Sequence, residues 1–139
     1  MRLLLIAGGA EAAELARVLR RGGAGWVRPV ELIAALDRRT DEVVEHRFPA
    51  HQTRGLFTSA EAMVTALKWD RVSAIIDASH PFDVKTAHDA AVAAKALGMP
   101  LLQIRRPAWS ATGARVVSSR AEAAAELREE DYQLAYAID

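Results

Sequence analysis

At 139 residues, with 51% hydrophobic and 26% charged side chains, the chain is sized for one packed domain with a real core and a soluble surface. Lysine plus arginine and aspartate plus glutamate each number 18, so the formal net charge is zero; that excludes a general polyanion binder such as a nucleic-acid coat and leaves room for a small local anion site. Cysteine is absent, which rules out disulfides, thiolate zinc sites and cysteine nucleophiles within this sequence.

The apolar run 3–7, closed by Gly8 and Gly9, predicts a buried strand. It is too short to span a membrane and lacks the long apolar region of a signal peptide, so the chain is read as cytoplasmic with no membrane partner. Residues 10–21 are rich in Ala, Glu, Leu and Arg and predict a helix, with Leu15, Val18 and Leu19 facing the sheet and Gly22–Gly23 stopping it. A second strand is expected over 30–36. The segment 37–58 is expected to hold a short strand at 43–47 and then loop through Pro49 and Gly55. Ser59 is a good N-cap for a helix over 60–68 with Glu61 in its first turn.

Residues 72–77 predict a further buried strand centred on Ile75 and Ile76, followed by a loop at 78–82 and a helix over 84–97 that stops at Gly98-Met99-Pro100. A strand at 101–104, another at 115–118, a helix over 120–128 and a last strand at 133–138 complete the alternation. Strands alternating with helices predict an α/β fold, a Rossmann-like three-layer domain with a mainly parallel sheet. The polar stretch 110–113 is the natural boundary, giving a nucleotide-binding domain over 1–112 and, over 113–139, the start of a second α/β lobe or a C-terminal extension.

Ligands of such sheets bind beyond the carboxyl ends of the strands, which directs attention to four segments. Gly8-Gly9-Ala10 joins the first strand to the first helix, where glycines admit a phosphate to the helix N-terminus; neither a full GxGxxG pattern nor a P-loop lysine is present, and a plain tight turn is the alternative. Ser79 and His80, in the loop from Asp77 to Phe82, are placed to donate to a cofactor or substrate. The alternative has Asp77 or Ser79 capping the next helix, which Pro81 would start, and His80 as a structural residue. Asp37-Arg38-Arg39-Thr40 follows the second strand, where a carboxylate suits the ribose of NAD and arginine the 2′-phosphate of NADP; a solvated charged turn is the alternative. Arg105 and Arg106 follow the 101–104 strand and suit a carboxylate-rich substrate, unless they are ordinary surface charge. His46, His51 and His88 form no metal triad with His80, and the scattered Trp26, Trp69 and Trp109 suggest core or interface packing.

Taken together, Asp77-Ala78-Ser79-His80-Pro81-Phe82, Gly98-Met99-Pro100 and Arg105-Arg106-Pro107-Ala108-Trp109 resemble the precorrin-6A reductase family, which has Asp-Ala-Thr-His-Pro-Phe/Tyr, Gly-Ile-Pro, Arg-Pro and a Trp at similar spacing. The start from Gly8 to Ala16 is similar to the family's Gly-Gly-Thr-x-Glu-Ala-Arg-x-Leu-Ala, with Ala10 in place of the threonine. The resemblance implies hydride transfer from NADPH to a ring carbon of the precorrin-6A macrocycle, a step of cobalamin (corrin) biosynthesis. It implies that Gly8, Gly9 and Ala10 hold the pyrophosphate and that Arg39 and Thr40 hold the 2′-phosphate. Ser79 and His80 would lie at the nicotinamide and substrate, with Arg105 and Arg106 on the substrate side. Family members continue into a second α/β domain, so a homo-oligomer or a partner is expected to supply the other wall of the cleft. A non-catalytic nucleotide-binding or interaction protein derived from the reductase is the alternative.

Overall fold

Four segments of the computed structural model are described: residues 1–22, 30–37, 48–105 and 117–129. The chain divides into two compact units, Met1–Arg106 and Pro107–Asp139. In chain order the first unit contains β1 (Arg2–Ala7), α1 (Ala10–Arg21), β2 (Glu31–Leu36), β3 (Gln52–Gly55), α2 (Ala60–Trp69), β4 (Ala74–Ala78), α3 (Val84–Leu97) and β5 (Leu101–Gln103). The second unit contains α4 (Arg120–Glu129), whose first turn is tied by the Glu122 N–H donating to Ser119 Oγ at 3.1 Å.

The five strands form one sheet in the order β3-β2-β1-β4-β5, every pair parallel. The order reverses between β1 and β4, the chain winding outward to β2 and β3 on one side and to β4 and β5 on the other. Both faces are covered, so β1 reads from Leu3 to Ala7 as an uninterrupted apolar run whose residues are shared by period two. Leu3, Leu5 and Ala7 join Ala12, Ala16 and Leu19 of α1 in one core layer. Leu4 and Ile6 face the other way, into the layer made by Met63 and Leu67 of α2 and Ala90, Ala93 and Ala94 of α3. The three layers are those expected from the alternation of elements.

The helix ends follow local chemistry. Ser59 caps α2, its Oγ accepting from Ala62 N–H at 3.2 Å. Asp83 caps α3 by accepting from Thr86 N–H at 3.0 Å. Gly98 ends α3 in the left-handed region (φ 57°), allowing Met99 N–H to reach back to the Ala94 carbonyl at 2.9 Å.

Several expectations are corrected. Val18 is half exposed and lies off the sheet-facing stripe, which runs through Ala12, Ala16 and Leu19 with Leu15 partly buried beside it. Residues 52–55 form β3 rather than loop. Gln52, Thr53 and Arg54 carry no apolar alternation because this edge strand is held by backbone pairing to β2, extended by His51 N–H to the Leu32 carbonyl and Leu56 N–H to the Leu36 carbonyl. Pro81 does not start α3; it sits in a turn closed by Asp83 N–H donating to the His80 carbonyl at 2.8 Å. Trp69, at the end of α2, is exposed on the surface and packs in no core. The strands expected at 43–47 and 133–138 lie outside the described residues, as do residues 115 and 116 of the one expected at 115–118.

Candidate functional site

The rim where strand order reverses is built from the carboxyl ends of β1 and β4, which run side by side with Ala7 opposite Ala78. Their loops stay together past the last ladder position: Gly8 N–H donates to the Ala78 carbonyl at 3.0 Å. The absence of a side chain at Gly8 is a steric requirement. A Cβ there would stand 3.1 Å from both Cα and C of Ser79 and closer still to the backbone nitrogen of His80. The two sequence-predicted loops, seventy residues apart in the chain, are thus one structure.

Gly9 is the N-cap of α1 in an extended conformation, and no side chain caps that helix. Ala10 opens the helix, and Ala12 N–H returns to the Gly9 carbonyl at 3.1 Å. The positive end of α1 is therefore presented at the rim across a loop without bulky side chains, which fits the pyrophosphate of a dinucleotide. Glu11, in the first turn, contributes a negative charge to the same end.

Among the described residues, Asp77 is the buried polar residue of the core, only 4% exposed. It does not cap α3, and neither does Ser79. Asp77 Oδ1 accepts from Ser79 N–H at 3.0 Å, folding the start of the loop into a tight turn, and Oδ2 accepts from Gln103 Nε2 at 3.1 Å. The backbone carbonyl of Asp77 accepts from Ile104 N–H at 2.8 Å, which continues the β4–β5 pairing past Gln103. Gln103 in turn receives Arg105 Nη2 on its Oε1 at 3.1 Å.

His80 is half-buried in the same loop. Its Nδ1 accepts from Phe82 N–H at 3.3 Å, and its ring tilts against that of Phe82 with centroids 5.4 Å apart. With Nδ1 occupied as an acceptor, the proton of the uncharged ring belongs on Nε2, so the ring offers a donor on its other edge. Phe82 and Val84 are both strongly exposed beside it, an apolar rim next to a polar loop.

The structure therefore gathers Gly8, Gly9, Ala10, Ser79 and His80 at one end of the sheet, with Arg105 at the end of neighbouring β5. Asp37, directly after β2, stands at the same end. Arg39, Thr40 and Arg106 lie outside the described residues. Gln103 was not among the sequence candidates. Its signal was present: polar residues interrupt two apolar strands at Asp77 and Gln103, which the parallel register sets opposite each other. Among the described residues no group of three or more His, Asp or Glu side chains is placed to hold a metal. Nor is any helix among them long and apolar enough to cross a membrane.

An all-parallel, doubly wound sheet with a glycine loop and a polar loop meeting where its order reverses defines a Rossmann-like α/β domain. The family model described as "Precorrin-6x reductase CbiJ/CobK" matches residues 2–136. Among curated proteins, precorrin-6A reductase of Rhodococcus erythropolis is 36% identical over 110 residues, covering 78% of this chain and 41% of its own length. That of Mycobacterium tuberculosis is 35% identical over 133 residues, covering 94% of this chain and 50% of its own. A solved structure, CobK precorrin-6A reductase, superposes with a TM-score of 0.68 at 32% identity, over 79% of this chain and 41% of that one. The chain belongs to the precorrin-6x reductase family, and it spans about half the length of the curated relatives it matches.

Proposed function

We propose that the chain binds NADPH across the joined β1 and β4 loops and serves the reduction of one double bond of the precorrin-6A macrocycle. The observation that carries this is the contact of Gly8 with Ser79 and His80. It leaves a side-chain-free approach to a helix N-terminus beside the Ser79–His80 loop. The pyrophosphate rests on Gly8, Gly9 and the first turn of α1, opposite no side-chain cap. Arg39 and Thr40 take the 2′-phosphate, while Asp37, on the same rim, is the group that would favour the unphosphorylated ribose.

NADPH held there would supply the hydride for one atom of the double bond, itself oxidised to NADP⁺, and a proton from solvent or a protein donor would complete the other atom. The part of this chain is positioning. Ser79, fixed by Asp77, borders the nicotinamide, and His80 donates from Nε2 to the substrate. Phe82 and Val84 offer apolar surface to a flat macrocycle, and Arg105 and Arg106 meet its carboxylates.

Titrating the purified chain with NADPH and NADH tests the cofactor assignment. Selective binding of NADPH is expected, and no binding of either would overturn it. Arg39→Ala is expected to weaken NADPH by roughly tenfold or more, the worth of a charge-assisted contact, and to leave NADH nearly unchanged. Equal effects on both would remove the 2′-phosphate role.

A further inference from the structure

The carboxylate of Asp77 is buried in β4, yet neither of its oxygens contacts solvent-facing ligand space; both are spent on protein donors. We infer that Asp77 is a positioning residue that fixes two parts of the site at once, the Ser79–His80 loop directly and the Arg105 guanidinium through Gln103, so that a carboxylate of the ligand meets both in one arrangement. This rests on the function proposed above, in which an anionic macrocycle lies along the β4–β5 rim.

The chemistry is directional. A carboxylate has acceptors only, so the Gln103 amide must turn its Nε2 toward Asp77. An amide has one donating and one accepting end, so Oε1 is forced to face outward, where it receives Arg105 Nη2 at 3.1 Å. The orientation of Arg105 is thus dictated from inside the sheet. The amide dipole also lies favourably between a buried negative group and an exposed positive one, with each end strengthened by charge. Arg105 keeps its remaining donors for a ligand. The other oxygen of Asp77 holds Ser79 N–H at 3.0 Å, and Ser79 begins the loop that carries His80.

Only a group with two acceptors at position 77 satisfies both donors. Asp77→Asn retains one acceptor, which the fixed backbone N–H of Ser79 takes. The new NH₂ then faces Gln103, whose amide must flip, and its own NH₂ meets the Arg105 guanidinium donor to donor. Arg105 is released. Adding Gln103→Glu restores every bond with the same net charge: the asparagine donates to one glutamate oxygen, and the other accepts from Arg105. Gln103→Glu alone sets two carboxylates side by side and breaks the chain differently.

The test is a mutant cycle in the full chain, with Arg105→Ala introduced into the parent, into Asp77→Asn and into Asp77→Asn/Gln103→Glu, and precorrin-6A affinity measured by titration. In the parent, Arg105→Ala is expected to weaken precorrin-6A roughly tenfold. In Asp77→Asn the further loss should nearly vanish, and in the double variant it should return. The same penalty in all three backgrounds would overturn the inference. Gln103→Leu supplies a second variant should Asp77→Asn not fold; it cuts the Arg105 arm alone and should likewise abolish the Arg105→Ala penalty.

Failure of the functional proposal is separable. If Arg105→Ala has no effect even in the parent, the anionic ligand is wrong, and NMR of the free chain then decides the relay. The Arg105 Nε–H resonance should move on Asp77→Asn and return in the double variant. An Arg105 resonance indifferent to position 77 would overturn the inference whatever the ligand.

Discussion

The two ends of the sheet spend their polar groups in opposite ways. At the amino end charges close on one another: Arg2 Nε pairs with Glu31 at 2.7 Å and its Nη1 donates to the Asp70 carbonyl, and the Asp70 carboxylate is held at 2.8 Å by Arg54, which reaches it from β3 and stacks over Phe57. Gln52 adds a longer bond to Glu31. At the carboxyl end the closure is made by backbone, Gly8 against Ala78, Ser79 and His80. The side chains of His80 and Arg105 are steered by neighbours that each occupy only part of their hydrogen-bonding capacity. One end is finished by its own partners, and the other is organised to receive one. Arg2 and Arg105 carry the same charge at the two ends of one small sheet, and only the second is aimed by an amide rather than neutralised by a carboxylate.

The largest expected effect comes from Gly8→Val. Its Cβ alone would collide with the backbone of the β4 loop, which has no flexible tip to yield, so the two loops must part. Overpacking of this kind costs about 1–3 kcal/mol of stability. NADPH affinity should fall at least about tenfold, since the pyrophosphate cradle and the nicotinamide loop are displaced together. Thermal unfolding and NADPH titration read the two effects. Unaltered NADPH binding in a folded Gly8→Val protein would break the contrast between the two ends.

A smaller effect sharpens it. Glu11 lies in the first turn of α1, where a negative side chain favours the helix but opposes a bound phosphate. Glu11→Gln is expected to tighten NADPH roughly two- to fivefold at low ionic strength, with the gain fading as salt is added. Calorimetric titration at two salt concentrations checks both parts. Weaker NADPH binding in the variant would mean that the phosphate does not approach α1.

Much of this was legible in the sequence because burial on both faces leaves a strong trace. The runs 3–7 in β1 and 74–76 in β4 are apolar, and Gly8, Ser59 and Gly98 mark loop and helix ends by chemistry that acts locally. The site loops were legible for the same reason, since each follows directly on a buried strand. Three features were not. β3 is an edge strand whose residues are polar and half-exposed, so only its pairing with β2 identifies it. Val18 and Leu15 have similar hydropathy, and the helix phase that exposes one is set by where α1 meets the sheet. The Asp77–Gln103–Arg105 chain depends on a register between strands twenty-six residues apart, which no local pattern encodes.

The smallest expected effect belongs to the amino end. The hydrogen bond from Arg2 holds the Glu31 carboxyl below the ordinary glutamate range, against the opposing influence of desolvation. Glu61 is lowered as well, chiefly by its own backbone N–H and then by the Ser59 hydroxyl. A carboxyl whose folded-state value is depressed stabilises the fold fully above the ordinary glutamate range, and that contribution is lost as pH falls through the folded-state value. Stability should therefore decline on acidification below that range, and Glu31→Gln should make the decline shallower while lowering stability slightly at neutral pH. The change is small because both side chains of the Arg2–Glu31 pair are more than a third exposed and water screens them. Urea unfolding at a series of pH values measures the slope, and NADPH titration at neutral pH supplies the control. An undiminished slope would mean that Glu31 is not among the groups linking folding to protons. A loss of NADPH affinity comparable to that of Gly8→Val would mean that the two ends are not independent, because a neutralised pair at the start of β1 and β2 has no bond to the loops at their other ends.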